Sequence, residues 1–143
     1  MTNEDIIQIT KEKNCIYILP SRENNNERLY AEDSIVFYKF VKEQNLNIKF
    51  IDDNPQYLVL HDETIIIPVI CFVLEMLPSV IECIKYFFKD RFGNNKKPRN
   101  CRFNAKIKKD NEIKEINYEG PISGFEKIDF NKLLENKNER KDD

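Results

Sequence analysis

The chain of 143 residues contains no tryptophan, only three glycines and a single histidine, and none of its four cysteines forms a CxxC pair. Each shortage removes a class of function. With so few glycines there is no GxGxxG or P-loop pattern, the usual signature of a phosphate-cradling nucleotide site. Any Cys-His or Ser-His nucleophile pair must use His61, and a histidine followed by Asp62 and Glu63 reads better as a polar turn than as a catalytic base. One histidine and four scattered thiols have no zinc-ligand spacing, so neither a metal nor another cofactor is expected. Glu75 and Glu82 lie seven apart, but Pro78 interrupts the helical register that would pair them for acid–base work.

A membrane-length apolar run is missing too. The longest uninterrupted stretch, Thr64 to Leu74, has 11 residues, with Glu75 and Glu82 following it, whereas a spanning helix needs about 20 nearly uncharged residues. The N-terminus has no positively charged, signal-like character. A cytoplasmic protein with buried, reduced thiols is the expectation, and no membrane span.

What the chain does have is concentrated between Thr64 and Phe92. The run Ile65, Ile66, Ile67 reads as a strand, and Pro68 fits the first position of a helix, where its missing N–H costs nothing. Pro78 then kinks that helix or opens a second one. Beyond it, Val80, Ile81, Ile84, Phe87 and Phe88 recur at three- and four-residue spacing opposite Glu82, Lys85 and Lys89, which predicts an amphipathic helix stopped by Gly93-Asn94-Asn95.

Elsewhere the elements are short. Residues 1–14 form a short helix or a loose arm. Cys15 to Leu19 has the β-branched and aromatic character of a buried strand, and the polar run SRENNNER after Pro20 reads as a surface loop. Leu29 to Gln44 reads as a helix closed by Asn45 to Asn47, and Asn47 to Ile51 as a strand. YLVL and TIII, separated by His61-Asp62-Glu63, suggest a first hairpin, with a helix capped at Asp62 or Thr64 as the alternative. Cys101 to Lys108 alternates strictly and Glu112 to Tyr118 less tidily, which gives a second hairpin turning at Lys109-Asp110-Asn111 and ending at Gly120-Pro121. Phe125 to Leu134 reads as a last helix. The prediction is an α+β fold: a mixed β-sheet with two hairpins, covered by a central apolar helix and two further helices, as a single domain over 15–134 with a solvated charged tail at 135–143.

Charge is distributed unevenly. From Lys85 to Lys109 there are ten lysines and arginines against Asp90 alone, a local +9 that leaves −11 for the rest of a chain whose net charge is −2. Alternation along the strand sends Arg102, Lys106 and Lys108 to one face, where they join Lys96, Lys97 and Arg99 of the preceding loop in a basic patch. Such a patch suits an anionic partner: nucleic acid, an acidic protein surface or lipid headgroups. It equally suits a solvated strand edge guarded by lysines.

The segments IKYFFKDRF and FNAKIKKDNEIKEINYEG, an apolar helix ending in aromatic and basic residues and then a hairpin of alternating charge, followed by a terminal helix, resemble the effector-associated constant components of bacterial conflict and antiphage systems. The resemblance covers roughly residues 29–134. It implies a non-enzymatic adaptor or accessory module that couples a sensor to an effector protein, and it brings no catalytic residues. The expected working surface is Lys96, Lys97, Arg99, Arg102, Lys106 and Lys108. The alternative is a small nucleic-acid-binding protein using the same patch, with Phe103 or Tyr118 as stacking groups.

Overall fold

The structure, a computed structural model, describes residues 1–24, 27–58, 64–92 and 99–134. It is an α+β fold in which a mixed sheet carries helices on both faces. In chain order the elements are α1 (Asn3–Ile9), β1 (Ile16–Ile18), β2 (Arg22–Asn24), β3 (Glu27–Ala31), α2 (Ser34–Glu43), β4 (Ile48–Phe50), β5 (Gln56–Leu58), β6 (Ile65–Ile66), β7 (Ile70–Val73), a 3-10 turn (Leu74–Met76), α3 (Leu77–Phe92), β8 (Asn100–Lys109), β9 (Glu112–Pro121) and α4 (Ile122–Phe125). Residues 130–134 are helical as well.

The main sheet runs β4-β1-β7-β8-β9, with β6 in line with β7 on the same side of β8. β7 and β8 are parallel neighbours, and so are β1 and β4. Parallel neighbours need a crossover, and the sequence supplies a helix each time, α3 between β7 and β8 and α2 between β1 and β4. The apolar stretch 64–92 is therefore half strand and half helix, and the expected helix start at Pro68 is incorrect. Ile65 and Ile66 pair with Cys101 and Arg102, and Ile70 pairs with Ala105. Ile67, Pro68 and Val69 thus stand opposite only Phe103 and Asn104, a bulge with one extra residue. A proline is tolerated there because no ladder hydrogen bond is asked of it. The helix begins instead at Leu77 with Pro78 second, still within the first turn, where backbone N–H groups go unused.

Two other readings change. β5 pairs with β3, and β6 with β8, so Tyr57 and Leu58 lie in a different sheet from Ile65 and Ile66 and do not pair with them as the expected first hairpin; residues 59–63 lie outside the described residues. The hairpin lies earlier: β2 and β3, of which β2 and the first two residues of β3 fall in the run read as a loop, pair antiparallel, and with β5 they make a small second sheet. Leu29 to Ala31 is accordingly strand, and the helix read from Leu29 starts at Ser34. Its end is as expected: Asn45 at φ 63 closes α2, its N–H bonding to the Lys42 carbonyl and that of Leu46 to the Val41 carbonyl, the Schellman arrangement that asparagine tolerates. The hairpin of β8 and β9 turns at Asp110, φ 57, and pairs over its whole length through Pro121 rather than breaking at Gly120.

The core occupies one face of the main sheet. Ile16, Ile18, Ile70, Phe72, Cys101, Phe103, Ala105 and Ile107 of the strands meet Phe37, Phe40 and Val41 of α2 and Val80, Ile84, Phe87 and Phe88 of α3. Edge-to-face rings tie the layers, Phe37 and Phe40 to Phe87, and Phe103 and Phe88 to Phe125. The opposite face has a smaller cluster, Ile6 of α1 against Cys15, Tyr17, Leu19 and Cys71. α1 carries a capping box, Thr2 and Asp5 bonding each other's backbone N–H. Among the described residues, no helix is long and apolar enough to cross a membrane.

Candidate functional site

The strict alternation of β8 places Arg102, Lys106 and Lys108 on one face of the sheet, the face opposite the main core. β9 lies antiparallel beside it and presents Glu119 opposite Arg102, Asn117 opposite Asn104 and Glu115 opposite Lys106. The guanidinium of Arg102 bonds Glu119 at 2.9 Å and the ammonium of Lys106 bonds Glu115 at 3.5 Å. Lys108 reaches the other way. Its ammonium donates to the carbonyl of Thr10, the C-cap of α1, and lies 5.7 Å from the centre of the Tyr17 ring. A cation at a helix C-terminus satisfies an orphan carbonyl and opposes the helix dipole favourably.

The basic strand is therefore half of a charge ladder, and its face balances both signs. Arg99 is exposed at the start of β8, its carbonyl accepting the N–H of Ile122. Lys96 and Lys97 lie outside the described residues, as do His61 and the Gly93-Asn94-Asn95 helix stop. Of the remaining positive charges of the run, Lys109 is exposed at the end of β8, and Lys85, Lys89 and Arg91 belong to α3, which packs on the opposite side of the sheet. The charge concentration counted along the chain is thus divided between two surfaces.

Of the aromatic groups considered for stacking, Phe103 is buried in the main core at 1% exposure. Tyr118 is half-buried with its ring edge-on to Phe125, and its hydroxyl donates to the Pro121 carbonyl at 2.6 Å. The four thiols are all buried and free. Burial pushes Cys83 and Cys101 up to about 11 and raises Cys15 and Cys71, so each stays a neutral thiol at neutral pH. Glu75 and Glu82 are exposed. No group of three or more potential ligand side chains is placed to hold a metal ion among the described residues.

Half of the polar face is covered and half is open. α1 and the segment after it shield β1 and β7, held by Ile6, by Lys49 on Glu12 at 2.6 Å and by the Glu12 N–H on the Tyr17 hydroxyl at 3.1 Å. α1 reaches only the turn end of the β8–β9 hairpin, at Lys108 and Ile113. The open half is a platform of Arg102, Asn104, Lys106, Glu115, Asn117 and Glu119, on which Asn104 Oδ1 is buried without a hydrogen-bond partner.

A second polar cluster gave no signal in the sequence beyond the i, i+2 spacing of Arg28 and Tyr30. The Arg28 guanidinium bonds one oxygen of Asp52 at 2.9 Å and the fully buried Tyr30 hydroxyl donates to the other at 2.6 Å. Burial and the facing carboxylate hold the Tyr30 phenol far above its usual range. Phe50 packs edge-on against the Tyr30 ring, and Tyr38 and Tyr57 pack in turn against Phe50. Asp52 follows β4 and Arg28 and Tyr30 sit on β3, so the cluster staples the small sheet to the end of the main one.

No family model, curated protein or solved structure matches the chain.

Proposed function

We propose that this protein is a non-enzymatic interaction module, an adaptor or accessory component of a bacterial defence or signalling system that acts in the cytoplasm on a protein partner, an effector or a sensor. The observation carrying this reading is the open platform over β8 and β9, where charges of both signs alternate at fixed strand spacing. A polyanion is best met by an uncompensated positive surface. A platform in which each cation faces a carboxylate suits a partner with the complementary two-sign pattern, which is what a folded protein offers. The resemblance of the α3 and β8–β9 segments to effector-associated constant components points the same way. Lys96, Lys97 and Arg99 would extend the platform at its rim, with Arg102, Lys106 and Lys108 along the strand.

The test is capture of the effector or sensor protein encoded beside this chain, using wild type and an Arg102→Gln, Lys106→Gln double variant, which removes the cations without setting like charges opposite each other. Loss of capture with an unchanged melting midpoint supports the reading. Equal capture by both chains counts against it. Retention of RNA or DNA by the wild type, lost steeply with added salt, would favour the nucleic-acid alternative instead.

A further inference from the structure

We infer that two copies of this chain associate through the outer edge of β9, antiparallel and two-fold about Ile116, so that their main sheets become one.

β9 differs from the other strand edges in length. β4 closes the opposite side of the main sheet with three residues, and β2 and β5 bound the small sheet with three each. β9 has ten, all paired to β8 on its inner side, and no strand lies against its outer side among the described residues. A strand edge of such a length with no neighbouring strand favours addition of another strand.

Which groups face outward follows from one bond. The Ile122 N–H donates to the Arg99 carbonyl, so residues at even numbers along β9, from Gly120 to Glu112, turn their backbone groups toward β8. In an antiparallel pair this alternates residue by residue. Ile113, Asn117 and Glu119 turn theirs to the edge. Of these outward residues, Asn117 and Glu119 have their side chains on the polar platform, while that of Ile113 packs beside the α1 cluster. The glutamates on the platform are already met by Arg102 and Lys106, and a pairing strand would not leave them unmatched.

Charge then selects the occupant and its register. Outward groups of one copy must meet outward groups of the other, so the two-fold axis falls on a residue and not between two. An axis on Lys114 or Glu115 opposes two like charges directly, and one on Asn117 sets Glu115 against Glu119 twice. An axis on Ile113 pairs only residues 112–114, and one on Tyr118 pairs residues 115–121 with Pro121 unable to donate, which leaves fewer hydrogen bonds than the Ile116 register. An axis on Ile116 keeps residues 112–120 paired and opposes Ile116 to itself, Glu115 to Asn117, Ile113 to Glu119 and Lys114 to Tyr118, with no like charges facing. The strand is complementary to its own reverse in this register, with about eight intermolecular backbone hydrogen bonds. It also sets the two polar platforms side by side, which gives a bivalent surface. The inference stands apart from the partner reading: self-association is measured without any partner, and the partner can be captured by a monomer.

Light scattering after size exclusion, from micromolar to millimolar concentration, decides it. Wild type is expected to be a dimer. Asn117→Pro removes one outward N–H and none that bonds β8, and is expected to give a folded monomer. Asn117→Glu sets carboxylates opposite Glu115 at two symmetric positions and is expected to weaken the dimer roughly fivefold, while Asn117→Lys tightens it by a similar factor. A wild-type monomer at every concentration overturns the proposal, as does a dimer unaffected by Asn117→Pro. If Asn117→Pro fails to fold, the Glu and Lys variants decide: opposite shifts support the Ile116 register, and shifts of the same sign overturn it.

Discussion

The two faces of the main sheet are built by opposite means. One is closed by α2 and α3 over a continuous aromatic layer in which Phe37, Phe72, Phe88, Phe103 and Phe125 are essentially inaccessible. The other is held over half its width by a seven-residue helix resting on Ile6, and over the rest by side-chain pairs in water. Hydrophobic burial and close packing are concentrated on the first face, where removing methylenes leaves cavities that collapse only partly. The second face uses interactions that water weakens. Stability therefore resides on one side of a single strand, β8, and the exposed charge pairs on the other.

Phe103 tests that division most severely. It is 1% exposed, edge-on to Phe125 and 6.0 Å from the Phe130 ring. Phe103→Ala is expected to lower the unfolding free energy by about 3–5 kcal/mol in a denaturant titration. That is a large share of the stability of a domain of this size. A loss near 1 kcal/mol would mean that the aromatic layer is not where the fold is secured.

Ile6 is the corresponding residue of the other face, and the thiols report which face opens. Cys15 and Cys71 lie under α1, while Cys83 and Cys101 lie in the main core. Ile6→Ala is expected to cost about 2 kcal/mol, less than Phe103→Ala because a terminal helix can detach while the rest stays folded. A thiol reagent in the absence of denaturant should then label Cys15 and Cys71 well before Cys83 and Cys101. Equal labelling of all four would show that the faces open together.

How much of this was legible in the sequence depends on whether the signal was local. β8 alternates over its whole length, and its assignment needed nothing outside itself. The Asn45 helix stop and the strands at 16–18 and 48–50 were readable for the same reason. Pro68 was misread because a proline after three isoleucines satisfies a helix start and a bulge equally, and only the partner strand distinguishes them. The charge ladder was hidden by the hairpin: a window closing at Lys109 stops one residue short of Asp110, Glu112, Glu115 and Glu119, and folding brings the last two of these back over the cations already counted. The cluster of Arg28, Tyr30 and Asp52 joins residues more than twenty apart across two sheets, with no spacing to announce it.

The smallest expected effect is at the ladder itself. The Arg102 and Glu119 side chains are 49% and 62% exposed despite their 2.9 Å contact, so their attraction is screened and each long side chain loses rotamer freedom in making it. Arg102→Ala and Glu119→Ala should each change the unfolding free energy by less than about 0.5 kcal/mol, and a double-mutant cycle should give a coupling of about 0.2–0.5 kcal/mol that shrinks in high salt. Reversing the pair, Arg102→Glu with Glu119→Arg, should leave stability near wild type, because the cross-strand geometry accepts either order. It inverts the platform's charge pattern, however, so a partner that reads that pattern must be lost while the fold is kept. A coupling above about 2 kcal/mol would instead make the ladder a structural element, and the contrast between the two faces of β8 would fail.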